Sequence, residues 1–499
     1  MGYPVYMNTP HAAEHAVLAI DQGGHSTRCL AFDARGRLLA QHRETVHENH
    51  PAPGFVEQDP EALLSSLQTC LRGVMSQLRA SGTPARAAGL ATQRASLCAW
   101  RRPDGTPLTP VVSWQDTRNA ELCAQLAPQA ALIQQRTGLV LSPHYGASKL
   151  RWLLDHEPAL ARAHATGELC AGPLASFLLA RLLAEHPCVA DPVNGARTQL
   201  RNRDSGDWDP VLLDLFGIPR DILPRCVANV GDFGHLPVDD EALPLRLCTG
   251  DQNAAVYAWG EPLTDTVHVN IGTGAFVLLP CERLPADTDG LLASTLLQTP
   301  ATTRYALEGT INGGASALDW LAARHGTDAN AVIAGLPGWL AQGDRPPLFL
   351  NGISGLAAPW WRADFHSRFI GGRAEASLAG EAVAVVESIV FLAWTIMGRM
   401  RDLGYRIEAI QTSGGLAHLD GLCQRLADLT RLPVERPGEC EATARGTAWL
   451  LWQHGLGDKS LRDSDWRAGN GAETFTPREN PALGERYRDW LSAMESALE

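Results

Sequence analysis

VLAIDQGGHSTRCLAFD, residues 17–33, is the stretch from which the rest of the chain is read. Two short apolar runs, residues 17–20 and 29–32, flank a polar turn carrying Asp21, Gly23, Gly24, Ser26 and Arg28. Apolar strands around a small polar turn predict a β-hairpin. Adjacent glycines let the backbone approach a ligand, and successive N–H groups in such a turn can form an anion-binding nest. A carboxylate at the end of the first strand would repel a phosphate unless a cation lay between them, so Asp21 points to Mg²⁺ on a nucleotide. The alternative is an ordinary hairpin with a solvated aspartate, because short glycine motifs recur by chance.

The pattern returns about 250 residues later as TVHVNIGTGAFVLLP at 266–280, again strand, glycine turn, strand. Two such hairpins predict a duplicated α/β unit with a ligand held between the halves, and they favour the phosphate reading of the first. Between them, PAPGFVEQD at 51–59 reads as a loop, and residues 60–80 as a helix with Asp59 at the N-cap and Pro60 at its first position. Runs at 87–92 and 98–101 flank Gln93, Arg94, Ala95 and Ser96, which places Arg94 at a strand end, where α/β sheets bind ligands. Residues 111–114 lead into Gln115, Asp116, Thr117 and Arg118 in a similar layout, with a helix from about 119. Helices are expected at 149–156 and around 173–183. Residues 247–250 form a strand that ends at Asp251 and opens into an alanine-rich helix, where N-capping is the plain reading of that aspartate. Residues 308–320 join a strand to a helix, and 379–403 form a long helix. IEAIQTSGGLAHLDGLCQ at 407–424 reads as strand, Gly-Gly turn and helix, a candidate nucleotide contact at a helix N-terminus. No G-x-x-x-x-G-K-[ST] occurs, which excludes a P-loop enzyme.

A chain of 499 residues exceeds one core and predicts two or three domains. A hydrophobic fraction of 45% and a charged fraction of 19% suit a globular protein, and a net charge of −13 argues against nucleic acid or an anionic membrane as the main partner. The start has neither a basic region nor a long apolar run, and no later stretch is read as approaching the roughly 20 apolar residues of a spanning helix. The expectation is therefore a cytoplasmic protein without membrane insertion. Eleven cysteines with no C-x-x-C indicate neither a disulfide framework nor a zinc knuckle. His11, Glu14 and His15 match H-x-x-E-H, but they run straight into a strand instead of lying on a helix in a cleft, which leaves a zinc peptidase disfavoured.

Taken together, these residues resemble the FGGY carbohydrate kinases, and within them the glycerol kinase branch. The carriers are DQGGHSTR at 21–28, NIGTG at 270–274, GDQNAA at 250–255 and KLRWLLDH at 149–156. They are joined by PAPGFVEQD at 51–59, YALEG at 305–309, GLAAPWW at 355–361 and LPVERP at 432–437. The resemblance implies two ribonuclease-H-like α/β domains of the actin and hexokinase type, about 1–258 and 259–499, with a nucleotide and sugar cleft between them. It implies ATP and Mg²⁺ as cofactors, a small polyol or sugar as acceptor, and admits a homodimer.

By the same resemblance Asp251 is the general base, and Asp21 and Asp251 face the metal. Arg94, His144, Asp251 and Gln252 contact the acceptor. Gly23, Gly24, His25, Ser26 and Arg28 lie by the phosphates with Gly272, Thr273 and Gly274, while Gly314, Gly414 and Gly415 approach the nucleotide. The chain also departs from the glycerol kinase pattern. Ala95 stands where that branch has a glutamate touching glycerol, and His144 stands at the place of a substrate tyrosine unless the register slips to Tyr145. Gly24 and His25 replace two threonines, and Leu419 or Asp420 replaces an asparagine near adenine. A divergent glycerol kinase and a catalytically silent actin-like sensor are the competing readings; two retained carboxylates, Asp21 and Asp251, speak against the second.

Overall fold

The computed structural model describes residues 15–342, 346–371, 377–438, 441–456, 466 and 471–499. Of the H-x-x-E-H match, His11 and Glu14 lie outside them. The chain divides into two compact units. One comprises the described residues up to Glu261 with Leu297–Thr303 and those of 440–469, and the other holds the rest.

The first unit is built on a six-stranded sheet in the spatial order Val230–Val238, Glu241–Gly250, Ala85–Thr92, Ala16–Gln22, Ser26–Phe32, Leu38–Thr45. The hairpin predicted from residues 17–33 is present, with Asp21 opposite Arg28 and Gln22 opposite Thr27. Every residue of Ala16–Gln22 is buried, as expected of a central strand covered on both faces. Ala85–Thr92 pairs parallel to it, and Glu241–Gly250 pairs parallel to Ala85–Thr92. Three neighbouring strands therefore end at one edge.

The helix Pro60–Ser81 covers one face. Asp59 caps it by accepting from the Glu61 N–H at 2.9 Å, Gly82 at φ +69° ends it, and Leu63, Leu67, Cys70, Leu71, Val74 and Leu78 bury their side chains at helical spacing. Leu97–Arg101 belongs to a separate four-stranded sheet with Glu57–Gln58, Val111–Val112 and Leu169–Pro173, so residues 93–96 carry the chain from the main sheet to the smaller one. The helices Gly146–His156 and Leu174–Leu182 pack around it.

The second unit repeats the plan. Its seven-stranded sheet runs Leu292–Gln298, Thr303–Ile311, Ala275–Cys281, Thr266–Ile271, Ala409–Ser413, Val434–Arg436, Glu473–Phe475. Thr266–Ile271 and Ala275–Cys281 form the second hairpin, and Ala409–Ser413 runs parallel to Thr266–Ile271. Two readings are corrected here. Leu378–Asp402 is 25 residues long and by length and composition apolar enough to cross a membrane, contrary to the expectation that no stretch comes near it. Most of its apolar side chains are buried within this unit, and Glu381 and Glu387 on it are paired with His325 and Arg486. The second correction concerns 407–424, where Gly414 opens a short 3₁₀ turn, Gly415–His418, and the α-helix begins only at Asp420.

Candidate active site

Asp21, Ala91 and Thr249 are level across three strands, so Asp21, Arg94 and Asp251 all leave the sheet at the same C-terminal edge. Asp21 is almost fully buried, and its carboxyl is pushed up to about 7. Burial is the main cause, the charge of Asp251 adds to it, and Arg28 works against it, with Arg28 Nη1 3.7 Å from Asp21 Oδ2. Arg28 is itself held in a tight ion pair with Glu441, at the start of the helix Ala442–Leu450.

Asp251 is the first residue of the helix Asp251–Ala255, and the N-cap is Gly250. Its carboxylate accepts the N–H of Gln252 at 2.6 Å instead of capping the turn, which sets aside the N-capping reading. Burial raises its pKa above the ordinary carboxylate range, while Arg94, the Gln252 N–H and Arg197 pull the other way. Arg94 reaches across Gly250, donates from Nη1 to Asn253 Oδ1 at 2.9 Å, and hydrogen-bonds Gln252 Oε1 tightly. Asp251, Arg94 and Gln252, all named from sequence, are thus brought together.

His144 lies on the loop before the helix Gly146–His156, with Nδ1 3.3 Å from the Trp114 carbonyl oxygen, and Tyr145 is the residue that leads into the helix. Lys149 on that helix is buried. It donates to the carbonyls of Ser113 at 2.6 Å and Ala95 at 3.5 Å, tying together the two loops that follow strands Ala85–Thr92 and Val111–Val112. Burial brings this amine down to about 7. Ala95 sits at φ +65°, a strained setting for a residue with a side chain.

Around Gly24 the structure adds residues that sequence reasoning passed over. Gln58 Nε2 donates to the Gly24 carbonyl at 2.7 Å, Gln93 Nε2 donates to Gln58 Oε1 at 2.8 Å, and Trp114 is an exposed aromatic beside them. Trp114 lies two residues after the strand Val111–Val112, which was a signal; nothing local marks Gln58.

The glycines assigned to phosphates have specific surroundings. The Gly23 N–H is taken by Ser26 O at 3.0 Å within the turn; Ser26 is buried and His25 exposed. In the second unit Thr273 is exposed at the tip of its hairpin. A Cβ at Gly314 would lie 2.6 Å from Gly272 O, and one at Gly414, whose φ is +89°, would lie 2.6 Å from Ile271 O. Both glycines allow backbone to pack on the hairpin, and they gather Thr273, Gly314 and Gly415 around it. Leu419 is buried, while Asp420 is exposed and paired with Arg436 at 2.8 Å.

The carboxylates Asp21 and Asp251 suit a magnesium ion, which takes one or two protein carboxylates and keeps several waters. A buried Asp21 whose charge is opposed by a second carboxylate is a setting that a cation would relieve. Among the described residues no group of three or more His, Cys, Asp or Glu forms a dedicated metal cage.

Comparison with known proteins adds the following. Residues 16–245 match the N-terminal domain model of the FGGY family of carbohydrate kinases, and residues 267–452 match its C-terminal domain model. The chain is 35% identical to a glycerol kinase of Methylobacterium nodulans, covering 97% of this chain and 98% of that one. It is 33% identical to a glycerol kinase of Alkalilimnicola ehrlichii, with the same coverage. In fold it is similar to Plasmodium falciparum glycerol kinase with ADP, at a TM-score of 0.88 and 24% identity, covering 97% of this chain and 99% of that one. It is also similar to a xylulose kinase of Rhodospirillum rubrum, at 0.85 and 21%, with 97% and 99% covered.

Proposed function

The chain belongs to the FGGY family of carbohydrate kinases, phosphotransferases with an alcohol group as acceptor, and from that premise we propose that it phosphorylates a hydroxyl of a small polyol or sugar with Asp251 as general base. The observation that carries the assignment is Asp251 itself, a strand-end carboxylate with a raised pKa, flanked by Arg94 and Gln252 and acting on the charge of Asp21.

Phosphoryl transfer is mostly positioning and charge stabilisation, with an acceptor hydroxyl that must lose its proton as the new bond forms. Asp251 takes that proton, and its raised pKa makes it a better acceptor at neutral pH. Arg94, Gln252 and His144 orient the hydroxyls. Arg28, anchored by Glu441, sets positive charge beside Asp21 at the phosphate hairpin, together with Gly23, His25 and Ser26, while the Gly24 side of the turn faces Glu48, whose charge disfavours a phosphate there. Thr273, Gly314 and Gly415 form the nucleotide face of the second unit. Asp21 and Asp251 would hold magnesium, which when bound offsets phosphate charge. Residues 1–258 and 259–499 are the proposed acceptor and nucleotide domains, with Leu297–Thr303 and the described residues of 440–469 packing in the first unit.

The cysteines support a cytoplasmic setting, since the ten described ones are all free thiols. A divergent glycerol kinase remains the second reading, favoured by the glycerol kinases among its relatives. A coupled ADP-release screen against glycerol, tetritols, pentitols, ketopentoses and ketohexoses tests the proposal. ADP release with one of these acceptors supports it, and no release with any of them counts against it.

A further inference from the structure

Three polar atoms converge on the space that Gly24 leaves by having no side chain. A Cβ built there would lie 3.6 Å from Glu48 Oε1, 3.8 Å from Gln93 Oε1 and 3.8 Å from Trp114 Nε1, and would meet nothing closer. The three come from distant parts of the first unit. Glu48 lies on the loop after the strand Leu38–Thr45, Gln93 follows Ala85–Thr92, and Trp114 follows Val111–Val112.

Gln93 is 3% exposed, and its amide is oriented by its own donors, Nε2 giving to Gln58 Oε1 at 2.8 Å and Gln22 Oε1 at 3.2 Å. Its Oε1 is buried and accepts no hydrogen bond among the described residues. A buried acceptor without a donor is costly, and the natural remedy is a ligand that supplies one. Glu48 is half-buried and is steadied by Gln115, whose Nε2 donates to Oε1 at 2.8 Å. Two acceptors facing one indole N–H make a poor seat for a phosphate, which only accepts and would be repelled by the carboxylate. They make a good seat for a hydroxyl, which donates to one oxygen and accepts from the indole.

We propose that Glu48, with Gln93 Oε1 and Trp114 Nε1, binds a hydroxyl of the acceptor and is a specificity-determining residue of this kinase. The inference rests on the proposed function and deepens it. It supplies a carboxylate from the Glu48 loop where Ala95 has only a methyl group. The acceptor class is a polyol or sugar with a hydroxyl remote from the one phosphorylated. A carboxylate that binds such a hydroxyl contributes to ground-state and transition-state binding alike, so its loss acts mainly on KM.

The test uses the full chain and the best acceptor from the screen, with steady-state kinetics in both acceptor and ATP. Glu48→Gln is expected to raise the acceptor KM roughly 10- to 100-fold, the value of a charge-assisted hydrogen bond, while kcat and the KM for ATP change less than threefold. Glu48→Asp is expected to recover part of the loss. Gln115→Ala removes the support of Glu48 but not its carboxylate, and is expected to raise the acceptor KM by less than threefold. A Glu48→Gln enzyme with unchanged acceptor KM overturns the inference while leaving the kinase reading intact. So does a Gln115→Ala loss equal to that of Glu48→Gln, which would reduce Glu48 to a prop for the loop. A wild-type protein that releases ADP with none of the acceptors overturns both. Melting curves of each variant confirm that the fold is retained, and if Glu48→Gln does not fold, Trp114→Phe serves in its place. That change removes the indole N–H and keeps an aromatic ring, and is expected to raise the same KM. An unchanged KM in that variant overturns the inference equally.

Discussion

Arg94 and Gly250 are closer than any side chain at position 250 would permit: a methyl group there would lie 2.7 Å from Arg94 Cγ, 2.8 Å from Cδ and 2.9 Å from Val193 Cγ1. The Gly250 backbone is ordinary, at φ −88° and ψ 150°, so the glycine serves the guanidinium's path and not a special turn. Gly250→Ala therefore carries no backbone strain and acts through crowding alone. Overpacking of this kind costs about 1–3 kcal/mol. The variant is expected to melt at lower denaturant and, with Arg94 displaced from Gln252 and Asn253, to show a raised acceptor KM. Unchanged stability and KM would mean that Arg94 has another equally good path.

Asp251→Asn keeps the shape of the side chain and removes its capacity to take a proton. General-base removal lowers turnover by roughly 10² to 10⁴, about 3 to 5 kcal/mol of barrier. The expected outcome is that loss with far-UV circular dichroism and melting close to wild type. Near-normal turnover on the best acceptor would remove Asp251 from its role.

The Asp21 carboxyl, raised to about 7 against an ordinary 3.8, makes stability depend on pH. Between these values the unfolded chain is ionised and the folded one holds its proton, so the folded state binds more protons and stability falls as pH rises. The loss is complete above about 7. In the ligand-free protein Asp21→Asn is therefore expected to be more stable than wild type at pH 8, by up to a few kcal/mol on the order set by the size of such a shift. That advantage should fade toward pH 4. Magnesium is expected to raise the melting temperature of wild type at pH 8 and to leave the variant unmoved, while the variant loses turnover. Equal melting at both pH values, with equal response to magnesium, would contradict the assignment.

Glycerol is expected to be a poorer acceptor than a longer polyol or a ketose. The Ala95 side chain offers no hydrogen bond, His144 lies beside Trp114, and Glu48 reaches the Gly24 space from a different loop. Specificity built on hydroxyl contacts discriminates strongly when one is lost. Ala95→Glu is expected to improve kcat/KM for glycerol by roughly 10-fold or more, the value of one charge-assisted hydrogen bond. A wild type that already prefers glycerol, and is not helped by Ala95→Glu, would favour the divergent glycerol kinase.

What the sequence determined by itself lies within short stretches. Both hairpins, the helix Pro60–Ser81 with its Asp59 cap, and the strand-to-helix passage at Asp251 were legible, because alternation, helical spacing, caps and glycine turns act over a few neighbouring residues. The repeat of the first hairpin in the second exposed the duplicated architecture for the same reason. The long helix Leu378–Asp402 was legible as a helix, but its place in a core was not, since composition alone does not distinguish burial in protein from burial in lipid. Only the tertiary structure decided that Gly250 makes way for Arg94, that Gly314 and Gly414 sit against the backbone of the second hairpin, and that Glu48, Gln93 and Trp114 meet over Gly24. These contacts join residues from 24 to 156 positions apart. A residue's own type does not encode which distant backbone or side chain packing will bring against it; that is settled when the sheet register aligns the strand ends.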